Sequence, residues 1–127
     1  MDTAQRLRAS LEAFENIQSD FARNSDQHDP AWRRHLVGLR KNLQDSLIAI
    51  RTALQAYEEQ HGRSEAGDAL AKGLLAMRTA IALHQAEWPA VAIDTKSQAY
   101  RAAVRALRAA TREFHAIANR MLAAISR

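Results

Sequence analysis

Between Trp32 and Tyr57 the chain reads in steps of four and three: Trp32, Leu36, Leu39, Leu43, Ser46, Ile50, Ala53, Tyr57. Six of these eight positions are large and apolar, and Leu47 and Leu54 widen the stripe. A period near 3.6, held over so many turns, marks an amphipathic helix with one face committed to burial. A single helix cannot cover its own stripe, so the chain must supply other elements to pack on it.

Three other stretches repeat the spacing. The first helix is expected over 3–24, with Leu7, Leu11, Phe14, Gln18 and Phe21 on its seam, Ile17 alongside, and Asp2 or Thr3 as cap. A polar run, 24–29, reads as a loop, and Asp29-Pro30 as the start of helix two, which continues to about Gln60. Gly38 lies inside that helix and costs about 1 kcal/mol relative to Ala, which a closely approaching neighbour would explain. His61-Gly62 reads as its stop, and Ser64 or Asp68 as the cap of helix three. Helix three, 65–88, carries Leu70, Leu74, Met77, Ile81, His84 and Trp88 on its seam; Pro89 ends or bends it. Residues 89–94 read as a connection or first turn, with Asp94 or Thr95 as the cap of helix four. That helix carries Tyr100, Val104, Leu107, Thr111, Phe114, Ala118, Met121 and Ile125. No strand pattern interrupts this series. The expected fold is all-α, an antiparallel up-down four-helix bundle forming a single domain over 1–127.

Composition narrows the function classes. Ala, Leu, Arg, Gln and Glu abound and only 4 Gly and 2 Pro occur, which favours helix throughout. There is no cysteine, which excludes disulfides, thiolate metal sites and thiol catalysis. No apolar run approaches the ~20 residues of a membrane span, and Met1-Asp2-Thr3-Ala4-Gln5-Arg6 lacks a signal core. A soluble, cytoplasmic protein is expected. The net charge of +4 is uneven: residues 1–29 sum to −3 and residues 94–127 to +5. The last helix is therefore the basic one, able to meet nucleic acid, an anionic surface or an acidic protein.

Helices two and four read as about eight residues longer than one and three, an overhang of roughly 12 Å if the other ends are level. Leu54, Tyr57, Met121, Leu122 and Ile125 would lie on it, as an interface for a partner or a homodimer. Phe21, Trp32, Trp88 and Tyr100 trace to the opposite end, as an aromatic cluster or shallow pocket.

His84 stands at a seam position of helix three, and Arg78 lies six residues before it. On an ideal helix these two are about 120° apart. The Arg-x5-His spacing, on the third helix of an all-α chain of this size, resembles the motif of the HEPN domains. Several of those are ribonuclease toxins in which Arg and His of two protomers line a shared site. The resemblance implies Arg78 as a phosphate clamp and His84 as a base, with Thr79 where that family often has a polar residue. The bland reading is a half-buried histidine bonded to a polar neighbour.

His35-Leu36-Val37-Gly38 resembles more faintly a histidine phosphotransfer domain, but the lysine expected before the glycine is replaced by Val37. The other histidines, 28, 61 and 115, are scattered, and neither Glu-x-x-His nor His-x3-His occurs. No metal site and no cofactor is expected.

Arg101, Arg105, Arg108 and Arg112, then His115, follow the four-three spacing one residue after the seam of helix four. Stacked guanidinium groups can hold phosphates or an acidic helix. Glu12 and Glu15 of helix one could instead pair with them internally. No aromatic side chains interleave the stripe, as base stacking would want. The sequence thus favours a non-enzymatic helical interaction protein: an adaptor, small chaperone or regulatory partner. It would bind an acidic or helical protein through the basic helix and the apolar helix ends. The alternatives are the HEPN-like ribonuclease and a nucleic-acid or anionic-surface binder.

Overall fold

A computed structural model describes residues 2–24, 31–94 and 96–126. These form a bundle of four helices: α1 (Thr3–Asn24), α2 (Ala31–His61), α3 (Glu65–Glu87) and α4 (Gln98–Ile125). A single 3-10 turn, η1 (Ala90–Ala92), lies between α3 and α4. No described helix is long and apolar enough to cross a membrane.

Local chemistry sets the helix ends. Asp2 accepts from the Gln5 backbone N–H at 2.8 Å, and the Gln5 side chain accepts from the Asp2 N–H at 3.2 Å. This reciprocal pair is a capping box, satisfying two amide donors that the first turn leaves open. Ser64 caps α3 by accepting from Gly67 N–H. α2 stops where Gly62 takes φ +82° and its N–H bonds the Glu58 carbonyl at 2.8 Å. The cap of α4 is Ser97, which accepts from Tyr100 N–H, rather than Asp94 or Thr95. Asp94 instead accepts from the Lys96 N–H within the link, and Thr95 lies outside the described residues. The expected loop at 25–29, the Asp29-Pro30 start signal and His28 also lie outside them.

The core is drawn from the seams the periodicity marks. Leu7, Leu11 and Phe14 of α1, Leu43, Leu47, Ile50 and Leu54 of α2, Leu70, Leu74, Met77 and Ile81 of α3, and Phe114, Ala118 and Met121 of α4 form one buried cluster. Phe14 meets Phe114 edge-on, with ring centroids 5.0 Å apart, a favoured arrangement of two aromatic quadrupoles. α1 packs along α2 and α3 along α4, whereas α1 touches α4 only sparsely. Where those two meet, Arg8 donates to Ser126 and Glu15 pairs with His115, so the contacts run in opposite sequence directions.

The expected apolar overhang is absent. Leu54 and Met121 are buried, and Tyr57, Leu122 and Ile125 pack against the core. Part of the extra length of α2 lies at its start, where the link covers it. Trp32 and Leu36 are buried against Ala90 and Ile93, and Arg33 donates to the Ile93 carbonyl at 2.9 Å. Phe21, Trp88 and Tyr100 pack on this second cluster, which forms the aromatic end of the bundle. The large apolar residues left exposed are Val37, Ile48, Leu75, Leu83 and Val91.

Gly38 does not mark a close helix approach, because a Cβ built there meets nothing within 4 Å. The close approach is at Gly73, where a Cβ would lie 3.1 Å from Ile117 Cδ1 and 3.3 Å from Phe114 Cδ1. Opposite outcomes are expected for the same substitution. Gly38→Ala should raise stability by about 1 kcal/mol, or roughly 3–5 °C in melting temperature. Gly73→Ala should lower stability, since displacing the locked Phe114 ring costs about 1–3 kcal/mol against a propensity gain of about 1 kcal/mol. Thermal melts of the two variants check this.

Candidate functional site

The sparse contact between α1 and α4 leaves a cleft of about 310 Å³ that reaches all four helices. Its floor is apolar: Leu36 and Leu43 from α2, Met77 and Ile81 from α3, Val104 and Leu107 from α4, with Phe21 and Trp32 at the aromatic end. Its polar groups are Arg40 from α2, His84 and Gln85 from α3, Gln18 from α1, and Tyr100, Arg108, Thr111, Arg112 and His115 from α4. Three arginines and two histidines face the cleft, and among the described residues no aspartate or glutamate lines it.

Arg40 is the unusual member. It lies four residues after Leu36 and three before Leu43, so helical spacing puts it on the face that packs inward. It is half-buried, and burial pulls its pKa below the ordinary arginine value, with the nearby Tyr100 opposing that. A guanidinium stays protonated even so, so the cleft contains a partly dehydrated positive charge. Among the described residues no carboxylate forms an ion pair with it. That is an unfavourable state for a charge unless something else answers it.

His84 and Tyr100 stand beside it. Their rings lie 6.2 Å apart, and Trp88 meets Tyr100 edge-on at 5.4 Å. Desolvation lowers the pKa of His84, Arg40 lowers it further, and Glu87 on its own helix pulls the other way. Desolvation raises that of Tyr100 against the pull of Arg40 and Arg108. Both groups are therefore neutral near pH 7, and Arg40 is the fixed charge among these three.

The residues singled out from the sequence separate into groups. Arg108, Arg112 and His115 edge the cleft, whereas Arg101 and Arg105 are exposed and outside its lining. Internal pairing reaches His115, which meets Glu15 at 3.3 Å. His84 faces the cleft, but Arg78 is exposed and does not line it, so the cleft does not bring this pair together within one chain. His35 is exposed on α2, and His61 stacks on Tyr57 at 4.5 Å. Among the described residues no three His, Asp or Glu side chains gather as a metal site would require. Arg40 enters the sequence reading only as a basic residue beyond His35-Leu36-Val37-Gly38; the signal for its place in the cleft is an arginine set between Leu36 and Leu43 at helical spacing.

Comparison with protein families, with curated proteins and with solved structures gave no match.

A pH dependence follows from His84. Its folded pKa lies below its unfolded one, so the unfolded chain takes up this proton more readily. The associated loss of stability is absent above the ordinary imidazole value of about 6.5 and grows as pH falls through it towards the folded value. Between about pH 7 and about pH 5 the melting temperature of wild type should fall more than that of His84→Gln. In Arg40→Met the His84 titration, followed by NMR, should move up towards the ordinary value, because one of its two lowering influences is gone.

Proposed function

We propose that this chain is a non-enzymatic helical interaction protein, an adaptor or regulatory partner, and that it captures an anionic partner at the α1–α4 cleft. The observation that carries this reading is the lining of the cleft. Arg40, Arg108 and Arg112 stand over an apolar floor, and among the described residues no carboxylate lines the cleft or forms an ion pair with them. A partner that brings negative charge and apolar surface together satisfies both halves of that lining. The basic α4 supplies the edge, and the helix ends, where Leu54 and Met121 are buried and Tyr57, Leu122 and Ile125 are partly buried, do not enter the reading.

The binding reading is favoured over the nuclease reading because one chain already supplies every group that it needs, whereas the nuclease reading needs a second protomer to bring its phosphate clamp to His84. Arg78 lies outside the cleft that His84 faces. Arg108 and Arg112 are exposed, so reversing their charge should leave the fold intact.

Tagged wild type and Arg108→Glu/Arg112→Glu, each recovered from the native host, test the reading. A stoichiometric acidic protein partner should be retained by wild type and lost by the double variant, with unchanged melting temperature. A partner retained equally by both would refute the assignment to this cleft. Nucleic acid recovered with wild type alone, with affinity falling steeply with salt, would replace the reading by the nucleic-acid one.

A further inference from the structure

The inner part of the cleft differs from its rim. Arg108 and Arg112 at the rim are exposed, and water can solvate them without a ligand. Arg40 is set back on α2 among Leu36, Leu43 and Tyr100, where solvation is incomplete. An anion that reaches Arg40 enters a cleft with an apolar floor and a few polar groups on its walls, so one that also carries an apolar body fits both. The volume of about 310 Å³ lies at the lower end of the range for small-molecule sites, about 300–1,000 Å³. It suits one short chain or one ring and is too small for a two-chain lipid.

We propose that the inner cleft binds a small amphipathic carboxylate, its head on the Arg40 guanidinium and its apolar body among Leu36, Leu43, Met77, Ile81 and Leu107. A carboxylate matches the planar fork of one arginine with two parallel hydrogen bonds. It carries one negative charge, which answers one recessed positive charge. A phosphate would bring a larger hydration shell into the same apolar space, at a greater desolvation cost. Tyr100 and His84 flank Arg40 as neutral groups, placed to donate to or shield the head. The site rests on the anion-binding reading of the same cleft and names what enters it.

The probes are octanoate and its neutral near-isostere octanamide, with binding followed by calorimetry and by tryptophan emission. Trp32 lines the cleft and serves as reporter. Octanoate should bind at one site per chain and shift the emission, and octanamide should bind at least about tenfold more weakly. Arg40→Met keeps the apolar stem and removes the charge. It should reduce octanoate to the level of octanamide. Should Arg40→Met fail to fold, Arg40→Gln takes its place. Leu107→Trp, which fills the apolar floor and leaves every charge in position, should abolish binding of both probes.

Absence of octanoate binding to wild type, equal affinity for the two probes, or octanoate binding indifferent to Arg40 would each overturn the proposal. Its failure is separable from that of the function reading. If octanoate does not bind while Arg108→Glu/Arg112→Glu still loses the partner, only the inner site falls. If octanoate binds through Arg40 while partner capture ignores Arg108 and Arg112, the inner site stands and the partner reading falls.

Discussion

Burial of the apolar stripe of α2 is the interaction on which the rest of this bundle depends. α2 packs against α1, against α3 and against the 3-10 turn that follows α3. Leu43, Leu47, Ile50 and Leu54 place its lower half in the main core, while Trp32 and Leu36 place its upper end in the aromatic cluster. Each such side chain gains about 1.5–3 kcal/mol on full burial, so a few leucines on one helix outweigh any cap or surface ion pair in the molecule. α1 joins α2 and α3 joins α4 as close pairs, but α1 and α4 barely meet. The cleft is a consequence of that imbalance. It opens where the two pairs share α2 but do not close the ring.

Arg40 interrupts the stripe that organises the fold. Sequences that specify one structure usually agree at every level, and local breaches tend to fall at sites of use. A leucine or methionine at position 40 would extend the apolar floor and remove a desolvated charge. An arginine at this position works against stability, and among the described residues no carboxylate forms an ion pair with it. His84 is held neutral by the same surroundings. Two basic groups, one charged and one not, thus share a wall with an apolar floor. That wall presents positive charge and, among the described residues, no carboxylate.

Much of the fold was legible because it rests on periodicity and punctuation. Leu7, Leu11, Phe14, Ile50, Leu70, Ile81, Phe114 and Met121 follow the 3.6 spacing, and every one is buried. Gly62 and Ser64 stop and start helices through backbone geometry and a hydroxyl acceptor, both local properties of sequence. The readings that failed depended on relations between helices. The overhang assumed level ends, whereas Ala90 and Ile93 fold back over the start of α2. Gly38 looked like a contact point and Gly73 did not, since a sequence cannot say which glycine another helix crosses. For the same reason the arginine stripe of α4 read as one surface. Of its arginines only Arg108 and Arg112 line the cleft, while Tyr100 and Val104 line it in place of their exposed neighbours Arg101 and Arg105.

Depth separates the two kinds of charge that this cleft presents. Arg108 and Arg112 act through water, and their pull on an anion decays within a Debye length of about 8 Å at physiological salt. Arg40 acts at shorter range through a partly apolar medium, where the same charge separation carries more energy and added salt screens it less. The rim therefore suits steering and capture of an anionic surface, in which many weak contacts are screened together. The inner wall suits retention of one small group that has already lost its water. A single ligand could use both in succession, drawn in by the rim arginines and then held by Arg40, because among the described residues no carboxylate lines the cleft between them and Glu15 is engaged with His115 at its edge.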